Sequence, residues 1–395
     1  MAELASVAPD PPYGKRPAQA PHSQAHGSYR YPVEDRPNQI MKRRHRSVQK
    51  VTIREVAARA RVSPMTVSRV INGGENVTEA TRAAVMAAVR ELDYTPNPAA
   101  RRLAGSEGFR IGLLYSNPSA AFLTEFLLGA LDQSRRTGHQ LVVEKCGVSP
   151  AAERAALRKL LQGGVNGVIL PPPLCEAPTV LAELRKADVA AVAVGAGQPS
   201  EDFSTVRMDN YKAAREMTSY LISLGHRRIG FIKGHPNQSV SAQRLQGFLD
   251  ALSAAGIDAD ESYIEQGYFS YRSGLTAAER LLARDPRPTA IFAANDDMAA
   301  ATLAVAHRLG IDVPGELSIA GFDDTLIAAT LWPSLTPIRQ PIAAMARASV
   351  DLLLKELRRR RARVGGRPPQ QLLKYTLVRR DSTAPAPAQS LARTA

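Results

Sequence analysis

Residues 51–72 read VTIREVAARARVSPMTVSRVIN, and the rest of the chain is understood outward from them. The stretch divides into two short amphipathic helices with a tight turn between. Thr52 stands at an N-cap position, and Glu55 three residues later completes a capping box. Ile53, Val56 and Ala57 recur at i, i+3 and i+4, one apolar helix face. Arg61 and Val62 make the turn. Ser63 caps the second helix and Pro64 takes its first position, where a missing N–H costs nothing. Val67, Val70 and Ile71 form its inner face, and Gly73-Gly74 ends it. Two helices this short cannot bury enough apolar surface alone. Thr78 to Leu92, with Val85, Val89 and Leu92 at helical spacing, supplies a third.

The outer face of the second helix carries Met65, Thr66, Ser68, Arg69 and Asn72. In a helix-turn-helix such a helix enters the DNA major groove with its N-terminal residues at base edges. Arginine can take guanine O6 and N7 together, asparagine can read adenine, and a methionine meets a thymine methyl. Spacing alone leaves a plain three-helix module open, with Arg69 and Asn72 solvated.

The totals are compatible with a DNA partner. The 395 residues allow two or three domains, and a net charge of +14 favours a polyanion. Much of that excess sits in residues 1–50 and in the run from Arg358 to Arg367. Cys146 and Cys175 lack any CxxC or metal-binding spacing, which suits two ordinary buried thiols in a reducing compartment. No apolar run reaches the ~18–20 residues of a membrane span, and no signal-peptide core opens the chain. A cytoplasmic, nucleoid-associated location is the expectation.

Residues 1–50 read as a disordered basic extension, polar and without periodicity up to residue 40. Met41 is a candidate natural start, and Lys42 to Arg46 are candidate phosphate contacts. Beyond residue 109, strand-like and helix-like runs alternate. The strand-like runs include Gln140–Glu144, Val165–Leu170, Val189–Val194, Arg228–Ile232, Ala290–Ala293 and Leu317–Gly321. Helical patterns fall between them, among them Glu125–Thr137, Ala151–Gln162, Lys212–Leu224, Gln243–Ala255 and Asp297–Leu309. Such alternation predicts parallel sheets covered on both faces. The region is long enough for two similar lobes, and ligands in open α/β sheets sit at the carboxyl ends of the strands. A disordered tail is expected over 384–395.

Thr52 to Ala57, Val62-Ser63 and Thr66 to Asn72 together resemble the N-terminal signature of the LacI/GalR family of bacterial transcriptional regulators. Tyr94 to Asn97 and Ala100 to Gly105 follow at the family's spacing. Further likenesses are Gly225 to Gly230, Arg244 to Phe248, Ala293 to Ala299, Ile319 to Thr325 and Leu335 to Pro341. The resemblance implies an all-α helix-turn-helix DNA-binding domain at 51–96 and a hinge helix at 97–105. A two-lobed α/β effector and dimerisation domain, periplasmic-binding-protein-like (type I), then spans 109–383. It implies DNA contacts by Thr52, Ser63, Pro64, Met65, Thr66, Ser68, Arg69 and Asn72. In the hinge, Leu103 would wedge into the minor groove beside Ala100.

The same resemblance places Phe122, Arg244, Phe269, Asn295 and Asp323 around a small effector, with no metal, no catalytic group and no cofactor. A carboxylate accepts from hydroxyls, arginine donates in a fork, and an aromatic face covers the C–H side of a ring, so a mono- or oligosaccharide fits. Asp296 and Asp324 read as turn residues or supports. The expectation is a homodimeric repressor released from a pseudopalindromic operator by a sugar. A nucleobase or sugar phosphate as effector, or a sugar-binding transport protein of the same lobed fold, are the alternatives. No nucleophile elbow, His cluster or phosphate-cradling loop accompanies the aspartates, so an enzyme is not expected.

Overall fold

The computed structural model describes residues 51–71, 77–94 and 108–388. Asn72, Ala100 and Leu103 lie outside them, as do the extension 1–50, the rest of the 97–105 hinge and residues 389–395. The chain separates into two units, Met1–Pro96 and Asn97–Ala395.

The first unit is three helices, α1 (Ile53–Ala60), α2 (Pro64–Ile71) and α3 (Glu79–Glu91). Glu55 reaches back to accept from the Thr52 backbone N–H at 2.5 Å and its hydroxyl at 2.9 Å, which fixes the start of α1. Arg61 ends it in the left-handed region, φ 52°, and turns the chain within two residues. Ser63 Oγ accepts from Thr66 N at 3.1 Å and opens α2. Val56, Ala57, Val67, Val70, Val85 and Ala88 close the core, and Tyr94 joins them. Tyr94 therefore belongs to the packed core of the helical unit. Arg59 and Glu91 pair at 2.7 Å between α1 and α3, half exposed and worth well under about 1 kcal/mol.

The second unit is two α/β lobes. Strands β1 (Arg110–Tyr115), β2 (Gln140–Lys145), β3 (Gly167–Leu170), β4 (Ala190–Val194) and β5 (Ser204–Met208) build the first. Strands β6 (Ile229–Lys233), β7 (Ile264–Gln266), β8 (Ala290–Ala293), β9 (Ser318–Asp323) and β10 (Thr336–Arg339) build the second. Two edge strands follow, β11 (Gln370–Leu373) in the first lobe and β12 (Thr376–Leu377) in the second. The orders are β11-β5-β4-β3-β1-β2 and β12-β10-β9-β8-β6-β7. Every pairing is parallel except β12 on β10, so the expectation of wholly parallel sheets fails at one edge. The chain reaches that edge from β11 of the first lobe through the two residues 374–375.

The chain passes between the lobes after Met208, after Arg339 and after Leu373. Helix Ile342–Arg361 thus follows a second-lobe strand yet packs in the first lobe, against helix Ala120–Arg136 and the faces of β3, β4 and β5. Helices Pro150–Gln162 and Pro178–Lys186 cover the opposite face. Fully buried Phe231, Phe248, Phe292 and Phe322 anchor the second lobe.

Two boundaries differ from the sequence reading. The first helix of the unit starts at Ala120 instead of Glu125, because Ser119 Oγ accepts from Phe122 N at 3.3 Å and caps it. The expected tail begins too early: buried His226 shares its Nε2 with the Ala384 carbonyl at 3.0 Å, and Ala386 N donates to Leu224 O at 2.8 Å. Residues 384–386 belong to the second lobe.

Candidate DNA-reading helix and effector cavity

On α2 the capping geometry sorts the expected DNA contacts. Ser63 and Thr66 share one hydroxyl–hydroxyl bond at 2.9 Å, so one of their two protons is spent inside the cap. Thr52 donates its hydroxyl proton to Glu55, which leaves that side chain no proton for a phosphate. Pro64 occupies the first helical position. Met65, 65% exposed, and exposed Arg69 project from the helix, while Ser68 is half-buried. Among the described residues of α2, Met65 and Arg69 are the long side chains that stand exposed.

Phe122, Arg244, Phe269, Asn295 and Asp323 do converge, on a half-open cavity between the two lobes of about 450 Å3 with its solvent-filled mouth included. It lies at the carboxyl ends of the strands. Asp323 ends β9, and Asn295 follows β8 and caps helix Asp296–Arg308. Phe122 comes from the first lobe, at the start of its capped helix, stacked on Phe126 at 6.0 Å.

Two of the five residues are committed to the protein itself. Asn295 Oδ1 accepts from Met298 N at 3.1 Å, and its Nδ2 donates to the Phe269 carbonyl at 3.2 Å. Its amide was expected to bind ligand; the helix cap and Phe269 take both ends. Arg244, buried in helix Ser239–Ala254, donates to Asn210 Oδ1 at 2.9 Å, to Ala294 O at 2.5 Å and to Gln340 Oε1 at 3.2 Å. Its guanidinium also lies 3.5 Å from the centroid of Phe322. Burial lowers its pKa to about 10, against the pull of Asp323 and Asp296, so it stays charged at neutral pH. Two of its five N–H groups are left without an acceptor among the described residues.

Phe269 sits at φ 57°, a conformation costing a bulky residue on the order of 1–3 kcal/mol. Asn295 holds it there, and its ring takes the space a side chain at Gly234 would need. The aromatic wall is thus clamped in place.

Asp323 is the opposite case. It is 6% exposed and sits at φ 108°. No donor among the described residues bonds its carboxylate, and no ion pair joins it to Arg244. Burial lifts its pKa to about 7, with Arg244 pulling down and Asp297 and Glu125 pushing up. Behind it, Asp296 accepts from Thr325 N at 2.7 Å and Oγ1 at 3.1 Å, and burial raises its pKa strongly. Its other oxygen faces Gly321, where a Cβ would come within 2.5 Å. Asp324 pairs with Arg339 and Arg380, each at 2.6 Å. The supporting roles expected for Asp296 and Asp324 match this geometry.

Sequence reasoning missed Gln238. It lines the cavity, is 5% exposed, and its side-chain amide bonds no described residue. It sits in a loop before a helix with no periodicity to mark it. Also unforeseen is a clasp across the cleft. Glu176 of the first lobe accepts from Gly197 N at 2.9 Å, from Ser239 N of the second lobe at 2.9 Å, and from the Ser239 hydroxyl. Gln243 Nε2 donates back to Gly197 O at 2.7 Å.

Residues 52–97 match the family described as bacterial regulatory proteins, lacI family, and residues 218–383 match a periplasmic binding protein-like domain. The HTH-type transcriptional repressor PurR of Escherichia fergusonii is 35% identical over 353 residues, which is 87% of this chain and 99% of that protein. Among solved structures, the lac repressor dimer bound to operator and the anti-inducer ONPF superposes with a TM-score of 0.67 at 29% identity, covering 85% of this chain and all of that one. The regulator CelR in complex with cellobiose gives 0.64 at 34% identity over 84% of this chain and all of that one. PurR and the lac repressor are transcriptional repressors, not enzymes. With a helix-turn-helix unit followed by a two-lobed unit that encloses a cavity, this chain belongs to the lacI family of bacterial regulatory proteins, as a DNA-binding transcriptional repressor governed by a small-molecule effector.

Proposed function

We propose that the effector is an uncharged mono- or oligosaccharide, bound without a cofactor, and that it releases a homodimer from a pseudopalindromic operator in the cytoplasm. The observation that carries this reading is Asp323: a nearly buried carboxylate facing the cavity with no donor of its own. Its oxygens open onto the cavity, and a pair of sugar hydroxyls can donate to them. Gln238 offers a donor and an acceptor nearby, and Phe269 and Phe122 offer apolar faces for a ring. An anionic effector is disfavoured, because Arg244 already spends three of its donors and Asp323 would repel it. The cellobiose-bound CelR relative supports the same class.

Closure around the sugar biases the relative setting of the lobes, a coupling of typically ~1–3 kcal/mol between effector and operator. A thermal-shift screen of the full chain against mono- and disaccharides, sugar phosphates and nucleobases tests this. A neutral sugar at about 100 times its Kd should stabilise the protein by about 2.7 kcal/mol and weaken operator binding. A response only to a sugar phosphate or only to a nucleobase would overturn it.

A further inference from the structure

We propose that the arginine-rich end of helix Ile342–Arg361, continued by Arg363 and Arg367, is a second DNA-contacting surface that grips backbone phosphates without reading sequence. The helix closes with Arg358 to Arg361. Two of these are structural: Arg359 and Arg360 neutralise buried Glu356 at 2.8 and 2.9 Å, and Arg360 also pairs with Asp188 at 3.0 Å. Arg358, Arg361, Arg363 and Arg367 are exposed and make no ion pair among the described residues. A helix C-terminus favours cations in its last turn, which accounts for Arg358 and Arg361. It does not account for Arg363 and Arg367, which lie beyond the helix.

Position turns this cluster into a nucleic-acid surface. Helix Ile342–Arg361 starts at the cavity, where Met345 lines the wall, and runs to the amino ends of the first-lobe strands. Asp188, which Arg360 holds, lies just ahead of β4. His139, just ahead of β2, accepts from Phe109 N at 2.9 Å, and the charge of Arg358 reaches its ring. Gly108 and Phe109 are where the chain arriving from the helix-turn-helix unit enters the lobe, after the connecting residues 95–107. The unpaired arginines therefore gather at the end of the lobe where the chain enters it, at Gly108 and Phe109. The effector cavity is at the other end. Guanidinium groups suit phosphate oxygens, and each contact releases condensed counterions.

The test uses the full chain and a long duplex of arbitrary sequence, with Kd measured between about 50 and 200 mM salt. The triple variant Arg361→Ala/Arg363→Ala/Arg367→Ala should flatten the slope of log K against log salt by about 0.9 for each phosphate contact removed, up to about 2.7 per protomer. The triple Arg→Lys variant, which keeps the charges, should restore most of the slope. An unchanged slope in the alanine variant overturns the proposal. Equal losses in the alanine and lysine variants overturn it too, because they would report a structural change instead of lost charge.

Discussion

Replacing Asp323 by asparagine removes a titrating charge that the fold buries. The carboxyl is 6% exposed and its pKa stands at about 7, whereas an aspartate in an unfolded chain ionises near 3.9. Between those values the folded protein holds a proton that the unfolded chain has released. Stability must then fall as pH rises through the window, and the loss is complete above the folded pKa. Each unit is worth about 1.36 kcal/mol, so the full span of about three units amounts to about 4 kcal/mol. From pH 5 to pH 8 the folded group crosses about two of those units, or about 2–3 kcal/mol. Asparagine has nothing to titrate. Urea melts of both proteins followed by circular dichroism should therefore show the variant gaining about 2–3 kcal/mol on the wild type between pH 5 and pH 8. Asp296, whose pKa the Asp323 charge also raises, is relieved in the variant, and that relief acts in the same direction. The same substitution should abolish the sugar-induced thermal shift, because an amide cannot accept from two hydroxyls at both its ends. Parallel stability curves across pH 5–8 would refute the reasoning and move the proton elsewhere in the acidic cluster.

Arg69→Ala should cost about 1–3 kcal/mol of discrimination between operator and scrambled DNA while salt-sensitive nonspecific binding persists, and an equal loss on both DNAs would make Arg69 a phosphate contact. Gly247→Ala pushes a Cβ into the Tyr211 carbonyl oxygen and close to Arg215 N, both backbone atoms of helix Asn210–Ser223. The packed helices cannot give way there, so a loss of about 1–3 kcal/mol and a fall in Tm are expected, and an unchanged Tm would refute it. Glu176→Ala deletes the acceptor for Gly197 and Ser239, so the lobes should part more easily. Faster effector release by stopped flow and a larger radius of gyration by X-ray scattering are expected, and no change in either would mean the clasp holds nothing.

Local rules made the first unit readable. Thr52, Glu55, Ser63 and Pro64 act within a turn of where they stand in sequence, and capping chemistry needs no knowledge of the rest of the fold. Val56, Val67, Val70 and Val85 were legible as core by period alone. Strand and helix alternation likewise announced the two lobes, since each run carries its own periodicity. Short edge strands such as Gln370–Leu373 and Thr376–Leu377 carry too little pattern to be seen, and they form only because a neighbouring strand offers its edge.

By itself, the sequence determined the helix-turn-helix and the α/β alternation, because motif spacing and periodicity are local properties that survive without coordinates, whereas the five cavity residues came from its resemblance to the LacI/GalR family. Only the tertiary structure decided what those five do. Arg244 and Asn295 are polar residues of the expected kind, yet Asn210, Ala294, Gln340, Met298 and the Phe269 carbonyl claim most of their hydrogen-bonding groups. Asp323 and Gln238 keep theirs. Whether a polar side chain is free depends on which distant backbone and side-chain atoms reach it, and the strand order of the second lobe brings those atoms together from positions up to 96 residues apart.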